Sequence, residues 1–362
     1  TRSRSGALEA RPRRSPSTVR QPQTPPLRST GTPADKPVNI TRDNPGWDGD
    51  PVYSPDGRYI AYRSQARPGR ESDLYRLAVY DRREARAEIL TDGSSFDNWV
   101  DGVRWSRDGD DLFFQATVAG TDPLYRMVLK NGKIKQIHSD GAIAGWQLTP
   151  DDGTIIYSRS KIGGPPEIFA VPSKGGETVR LTDFNRELEE EVDIRNAEVI
   201  WVDRGDGVRI QVYLVKPHGF DPGKRYPLIL NVHGGPQSPW NDRYRGDWQV
   251  YPGKGYIVAF ANPTGSSGYG QEFTEAISCD WGGRVYEDLM KVTDALAALD
   301  FVDEERMGAM GWSYGGYMMM WFQGHTDRFA AQAAMMGVYD LWSMWGATEE
   351  LWFPEWDLCG VP

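Results

Sequence analysis

The sequence Met307-Gly308-Ala309-Met310-Gly311-Trp312-Ser313-Tyr314-Gly315-Gly316-Tyr317 reads as an apolar run that turns sharply at a serine and continues as a helix. Gly311 and Gly315 flank Ser313 in a Gly-x-Ser-x-Gly elbow. A turn this tight leaves no room for Cβ atoms at its flanks, which is why both flanking residues are glycine. The geometry thrusts the Ser313 hydroxyl above the end of the strand. A helix opening at Tyr314 aims free N–H groups and the positive end of its dipole at the same point. In so glycine-rich a chain five residues make a weak motif, and a second stretch strengthens it. Ile229-Leu230-Asn231-Val232 is an apolar strand that runs into His233-Gly234-Gly235-Pro236, a loop suited to supply a further N–H to an oxyanion. Two such motifs, each after a strand, indicate a serine nucleophile and its oxyanion donors.

Working outward, the surrounding segments alternate between strand and helix. Ala197 to Val202 and Ile210 to Val215 form a hairpin around Asp206-Gly207, and Pro227 to Val232 and Tyr256 to Ala261 are fuller apolar strands. Tyr286 to Leu299 has helical spacing, Tyr317 to Gln323 continues the elbow, and Phe329 to Met336 is the next strand. This is the grammar of a doubly wound α/β sheet.

The N-terminal half is built differently. Ser54-Pro55-Asp56-Gly57, Ser106-Arg107-Asp108-Gly109 and Thr149-Pro150-Asp151-Asp152-Gly153 each join two short strands. Third strands are expected at Asp73 to Val79, Pro123 to Leu129 and Glu167 to Val171. Fourth strands are expected to carry Leu90-Thr91, Gln136-Ile137 and Leu181-Thr182. Four strands per unit, repeating about every 45–50 residues, is the pattern of propeller blades. Val38 to Thr41 reads as the last strand of a further blade. The aspartates of Asp108-Gly109-Asp110-Asp111 lack the spacing of a calcium loop and read as turn chemistry. The expected domains are therefore a basic low-complexity segment (1–34), a partial β-propeller of about three blades (35–185), a charged hinge (186–195) and an incomplete α/β-hydrolase domain (196–362).

Composition narrows the function. The 362 residues are 39% hydrophobic and 25% charged, as in ordinary globular proteins. A net charge of -10 argues against nucleic acid as a partner. Residues 1–34 hold seven arginines against the single acid Glu9, so the remainder is more acidic still. No apolar run of about 18 residues is present to span a membrane. Cys279 and Cys359 make no disulfide framework. The chain starts at Thr1 with no apolar signal core, which leaves the compartment, cytoplasmic or secreted, open, as it does the oligomeric state. No cofactor or metal is expected.

The blade repeat, His233-Gly234-Gly235-Pro236, Asn262-Pro263-Thr264-Gly265-Ser266-Ser267-Gly268-Tyr269-Gly270, Trp281-Gly282-Gly283 and the Ser313 elbow together resemble the prolyl oligopeptidase family. The likeness is to its acylaminoacyl-peptidase and dipeptidyl-peptidase V branch. It implies a propeller capping an α/β-hydrolase domain, with short peptides as substrates. It also implies Ser313 as the nucleophile and the backbone N–H groups of Gly235 and Tyr314 as the oxyanion hole. His233 precedes the serine, against the fold's order of Ser, Asp, His, and is expected to pack beneath its loop. His325 lies twelve residues along the same helix, roughly 18 Å away, beyond the ~3 Å that a base requires. About 49 residues follow Ser313, too few for the strands that bear the family's Asp and His. The chain is thus expected to be truncated at both ends, poorly soluble alone, and no faster a catalyst than its Ser313→Ala variant. Two alternatives are an esterase on the same fold and a non-catalytic propeller and hydrolase remnant used for binding.

Overall fold

In each N-terminal repeat a hydroxyl side chain closes the first turn. Ser54 Oγ donates to Asp56 Oδ1 at 2.6 Å and accepts from Tyr59 N at 2.9 Å. Ser106 and Asp108 repeat this at 2.6 Å, with Asp111 N donating to Ser106 Oγ. Thr149 and Asp151 repeat it again, with Thr154 N as donor. The aspartates are engaged in turn chemistry, as Asx and hydroxyl turns require. The computed structural model describes residues 37–338 and 340–360, so the segment 1–34 lies outside the described residues.

These turns organise three four-stranded antiparallel meanders. The first comprises β1 (Asp48–Tyr53), β2 (Tyr59–Ser64), β3 (Arg76–Asp81) and β4 (Arg86–Ile89). The second comprises β5 (Val100–Trp105), β6 (Asp111–Ala116), β7 (Leu124–Val128) and β8 (Lys133–His138). The third comprises β9 (Ala142–Leu148), β10 (Thr154–Lys161), β11 (Gly164–Pro172) and β12 (Val179–Arg180). Alternation along β6 glues them face to face. Leu112 and Phe114 join a core with Leu77 and Val103, while Phe113 joins one with Trp146 and Ile155.

Several expectations need correction. β4 and β12 stop short of Leu90-Thr91 and Leu181-Thr182, because the threonine side chains take over the ladder. Thr91 Oγ1 accepts from Leu77 N at 2.8 Å, and Thr182 Oγ1 accepts from Ile168 N at 2.9 Å. Val38 to Thr41 is not a strand: the chain turns there, Asn44 N donating to Thr41 O at 2.9 Å ahead of Pro45-Gly46. The expected hinge contains a helix, α1 (Arg186–Glu191), with no buried residue.

Beyond it lies a six-stranded mixed sheet in the order β13-β14-β16-β15-β17-β18. Its strands are β13 (Ala197–Asp203), β14 (Arg209–Val215), β15 (Tyr226–Val232), β16 (Ile257–Asn262), β17 (Val302–Trp312) and β18 (Ala331–Met335). The hairpin β13–β14 joins β16 antiparallel, and β16, β15, β17 and β18 are mutually parallel. The central strands β15 and β16 are covered on both faces, hence their apolar runs, whereas the edge strands β13 and β18 are largely exposed. The helices are α2 (Asp247–Gly253), α3 (Gln271–Glu275), α4 (Arg284–Ala297), α5 (Tyr314–His325), α6 (Leu341–Ala347) and α7 (Trp352–Asp357). Leu228, Leu230 and Val232 of β15 pack with α4 and α5, whereas Ile229 faces Trp248 and Tyr251 of α2. Phe329 is not in β18; its ring stacks on Phe322 at 5.3 Å. Among the described residues no helix is long and apolar enough to cross a membrane.

The two cysteines, expected to be uninformative, form a disulfide. Their Cα atoms lie 5.2 Å apart across 80 residues of sequence, a proximity that only the tertiary fold creates. A loop of that length gives a chain-entropy stabilisation of roughly 4 kcal/mol. Cys359→Ser, or reduction by a phosphine, is expected to lower unfolding stability by about 2–4 kcal/mol. Urea titrations with and without reductant measure this, and an unchanged midpoint contradicts it.

Candidate active site

Ser313 sits between the last residue of β17 and the first of α5, with φ 58° and ψ -117°. A side chain in that region costs roughly 1–3 kcal/mol and persists only where the surroundings enforce it. They do so here through glycine. A Cβ on Gly315 would overlap the Val232 carbonyl oxygen, and one on Gly311 would overlap the Gly315 backbone. A Cβ on Gly316 would lie 2.7 Å from both Gly337 Cα and Met335 O. Hydrogen bonds then hold the serine: its N–H donates to Met335 O at 2.9 Å, and its carbonyl accepts from Tyr317 N at 3.0 Å.

Tyr314 opens α5, so its N–H has no carbonyl behind it within the helix. Its ring is buried edge-on to Trp281, centroids 5.3 Å apart, and its hydroxyl donates to Trp281 O at 2.6 Å. Burial pushes that phenol's pKa well up, keeping it a neutral donor.

The second predicted element meets the first. From Val232 the chain enters His233-Gly234-Gly235-Pro236, and a Cβ on Gly234 would lie 3.2 Å from Ser313 Cβ and 3.7 Å from its Oγ. Gly235, the next residue, has φ +119° and is exposed, and its peptide bond to Pro236 is cis. Ser238 Oγ donates to Gly234 O at 2.8 Å. His233 lies buried beneath. The Gly234 carbonyl can only accept, so Nδ1 donates to it at 2.7 Å, while Nε2 lies 2.9 Å from Ser266 Oγ, which is itself 2.6 Å from Pro263 O. Burial lowers the His233 pKa to about 4, so the ring is neutral. The segment 262–270 forms the layer below, where Thr264 N and Oγ1 both donate to buried Asp288 at 2.9 and 2.6 Å.

Other groups stay apart. His325 lies at the far end of α5, its ring stacked on Trp321 at 4.2 Å and its Nδ1 donating to Trp321 O at 2.7 Å. Asp340 caps α6 through Trp342 N, and Asp327, Glu349 and Glu350 are exposed. Among the described residues the Ser313 hydroxyl has no histidine within hydrogen-bonding distance, and no cluster could hold a metal. A cavity of about 680 Å³ opens beside the loop and elbow, lined by Gly234, Ser238, Trp240, Arg243 and Trp312 among others.

Sequence reasoning counts Asp357 among the acids after the elbow that have no histidine to orient, and gives it no role. It is buried and accepts from Trp281 Nε1 at 2.5 Å, Gln237 Nε2 at 3.0 Å and Ser278 Oγ at 3.3 Å. Its one sequence signal is an acid among the aromatic residues Trp352, Phe353 and Trp356.

Known proteins resemble this chain in sequence and fold. Residues 243–362 match the prolyl oligopeptidase family. Dipeptidyl-peptidase 5 of Porphyromonas gingivalis is 34% identical over 325 residues, covering 89% of this chain and 47% of that protein. The Trichophyton schoenleinii enzyme of the same name is 32% identical over 321 residues, covering 86% and 44%. The solved acylaminoacyl peptidase of Pyrococcus horikoshii superposes with a TM-score of 0.74 at 24% identity, over 84% of this chain and 47% of that one. An acylaminoacyl peptidase bound to Z-Gly-Gly-Phe-chloromethyl ketone gives 0.74 at 23%, with the same coverage. At such identities the structural likeness speaks for the fold. The chain spans about half the length of the curated relatives it matches. By its elbow, its His-Gly-Gly-Pro loop and these likenesses, the chain is similar to members of the prolyl oligopeptidase family, whose model matches residues 243–362.

Proposed function

We propose that the chain is part of a serine peptidase that releases dipeptides or acylated amino acids from short peptides. Ser313 attacks the scissile carbonyl to give an acyl-enzyme, and the N–H groups of Gly235 and Tyr314 receive the developing oxyanion. The observation that supports this reading is the approach of Gly234, the neighbour of Gly235, to Ser313, where a Cβ on Gly234 would lie 3.2 Å from Ser313 Cβ. Neither His233 nor His325 reaches the serine, so neither serves as its general base. The three antiparallel meanders are propeller blades within 35–185, and 196–362 is the hydrolase domain. A second reading, a non-catalytic remnant used for binding, is favoured by the same lack of a histidine near Ser313.

In the protein at the length of its relatives, Ser313→Ala is expected to lower hydrolysis of dipeptidyl and acylaminoacyl nitroanilides by at least about 10³-fold. Turnover equal to the parent enzyme's contradicts the assignment.

His233 gives a pH test of its structural role. Its folded pKa of about 4 lies below the ordinary 6.5, so the unfolded chain binds the extra proton first as pH falls. The stability linked to it is complete above about pH 6.5 and lost as pH falls toward 4, by roughly 3 kcal/mol. His233→Gln is expected to flatten this slope in urea unfolding between pH 7 and 4.5. An unaltered slope means that the ring is not held neutral.

A further inference from the structure

We propose that Asp357 is a positioning residue for the oxyanion hole, holding its two donors in register from one buried carboxylate. The proposal rests on the reading of Ser313 as nucleophile with Gly235 and Tyr314 as donors. One arm runs to the loop: Gln237, two residues after Gly235, donates its amide to Asp357 Oδ1 at 3.0 Å. The other arm runs to the elbow: Trp281 donates its indole N–H to Asp357 Oδ2 at 2.5 Å, and the Trp281 carbonyl accepts from the Tyr314 hydroxyl at 2.6 Å. Ser278 Oγ adds a third donor to Oδ1 at 3.3 Å. A carboxylate offers acceptors on both oxygens and no donor, so it satisfies all three at once. An amide at this position would turn an N–H toward one of the arms.

The segment bearing Asp357 is itself fixed. Its carbonyl accepts from Cys279 N at 2.7 Å, and Cys359 is bonded to Cys279. Phe353 of α7 packs on the Trp281 ring, centroids 5.7 Å apart. Burial pushes the Asp357 carboxyl pKa up, and the bonds from Trp281, Ser278 and Gln237 counter it. A buried acid so connected, with no basic partner, is an expensive way to join two loops unless their spacing matters. Oxyanion donors act only when held within a few tenths of an ångström of the developing charge.

The test uses the protein at the length of its relatives, with Asp357→Asn, Gln237→Met and the double variant. Asp357→Asn is expected to lower kcat on a dipeptidyl nitroanilide by about 10–100-fold, with KM within about threefold. Gln237→Met lowers kcat in the same direction. The double variant falls short of the product of the two, because both act through one contact. Amide hydrogen exchange, which needs no turnover, is expected to accelerate in residues 234–238 of Asp357→Asn while β2 and β3 keep their protection. A parent enzyme without Ser313-dependent turnover sinks the peptidase reading, and exchange then judges the carboxylate alone. Unchanged kcat in folded Asp357→Asn, multiplicative losses in the double variant, or unchanged exchange in 234–238 overturns the proposal.

Discussion

The Val232 carbonyl at the end of β15 lies so close to the start of α5 that residue 315 has no space for a side chain. That contact, repeated between Gly311 and Gly315 and between Gly316 and Gly337, sets how steeply the chain turns from β17 into α5. With a Cβ at any of these points the helix would lift from the sheet, and Ser313 would relax from its left-handed conformation. The strain is local, and its restraint is the packing of a whole helix: Met318, Met319 and Phe322 are buried against β15 and β17.

The support continues below the loop. His233 links its Gly-Gly-Pro loop to Ser266, and the segment 262–270 passes on to the second meander, where Ala119 N donates to Gly268 O at 2.9 Å. Tyr213 and Gln211 of β14 donate to the carbonyls of Gly120 and Ala119, both at 3.1 Å. Asn241 donates to the buried carboxylate of Asp122 at 3.1 Å. Residues 40–362 thus form one compact unit by their contacts, and the tip between β6 and β7 is one of the props of the candidate site.

Much of this was legible because it is local. Ser-Pro-Asp-Gly turns, strand alternation and the glycines of the elbow encode their geometry within a few residues, so the meanders, the sheet strands and Ser313 could be read directly. What could not be read depends on distant partners. The bonds that replace the ends of β4 and β12 cross 14 residues each. The disulfide spans 80 residues, and the bond from Gln237 to Asp357 spans 120. No periodicity reports such pairings. His233 was legible by elimination, since its place before the serine ruled it out as the base, while its bond to Ser266 required the fold.

The central claim is that this elbow presents a reactive nucleophile. Its most direct test is a fluorophosphonate treatment of the protein at the length of its relatives, followed by tryptic mapping. Cleavage after Arg306 and Arg328 yields a fragment, 307–328, whose one serine is Ser313. The account predicts a single phosphonyl adduct on that fragment. An adduct on another serine, such as Ser238 or Ser266, or a folded protein that takes none, would contradict it.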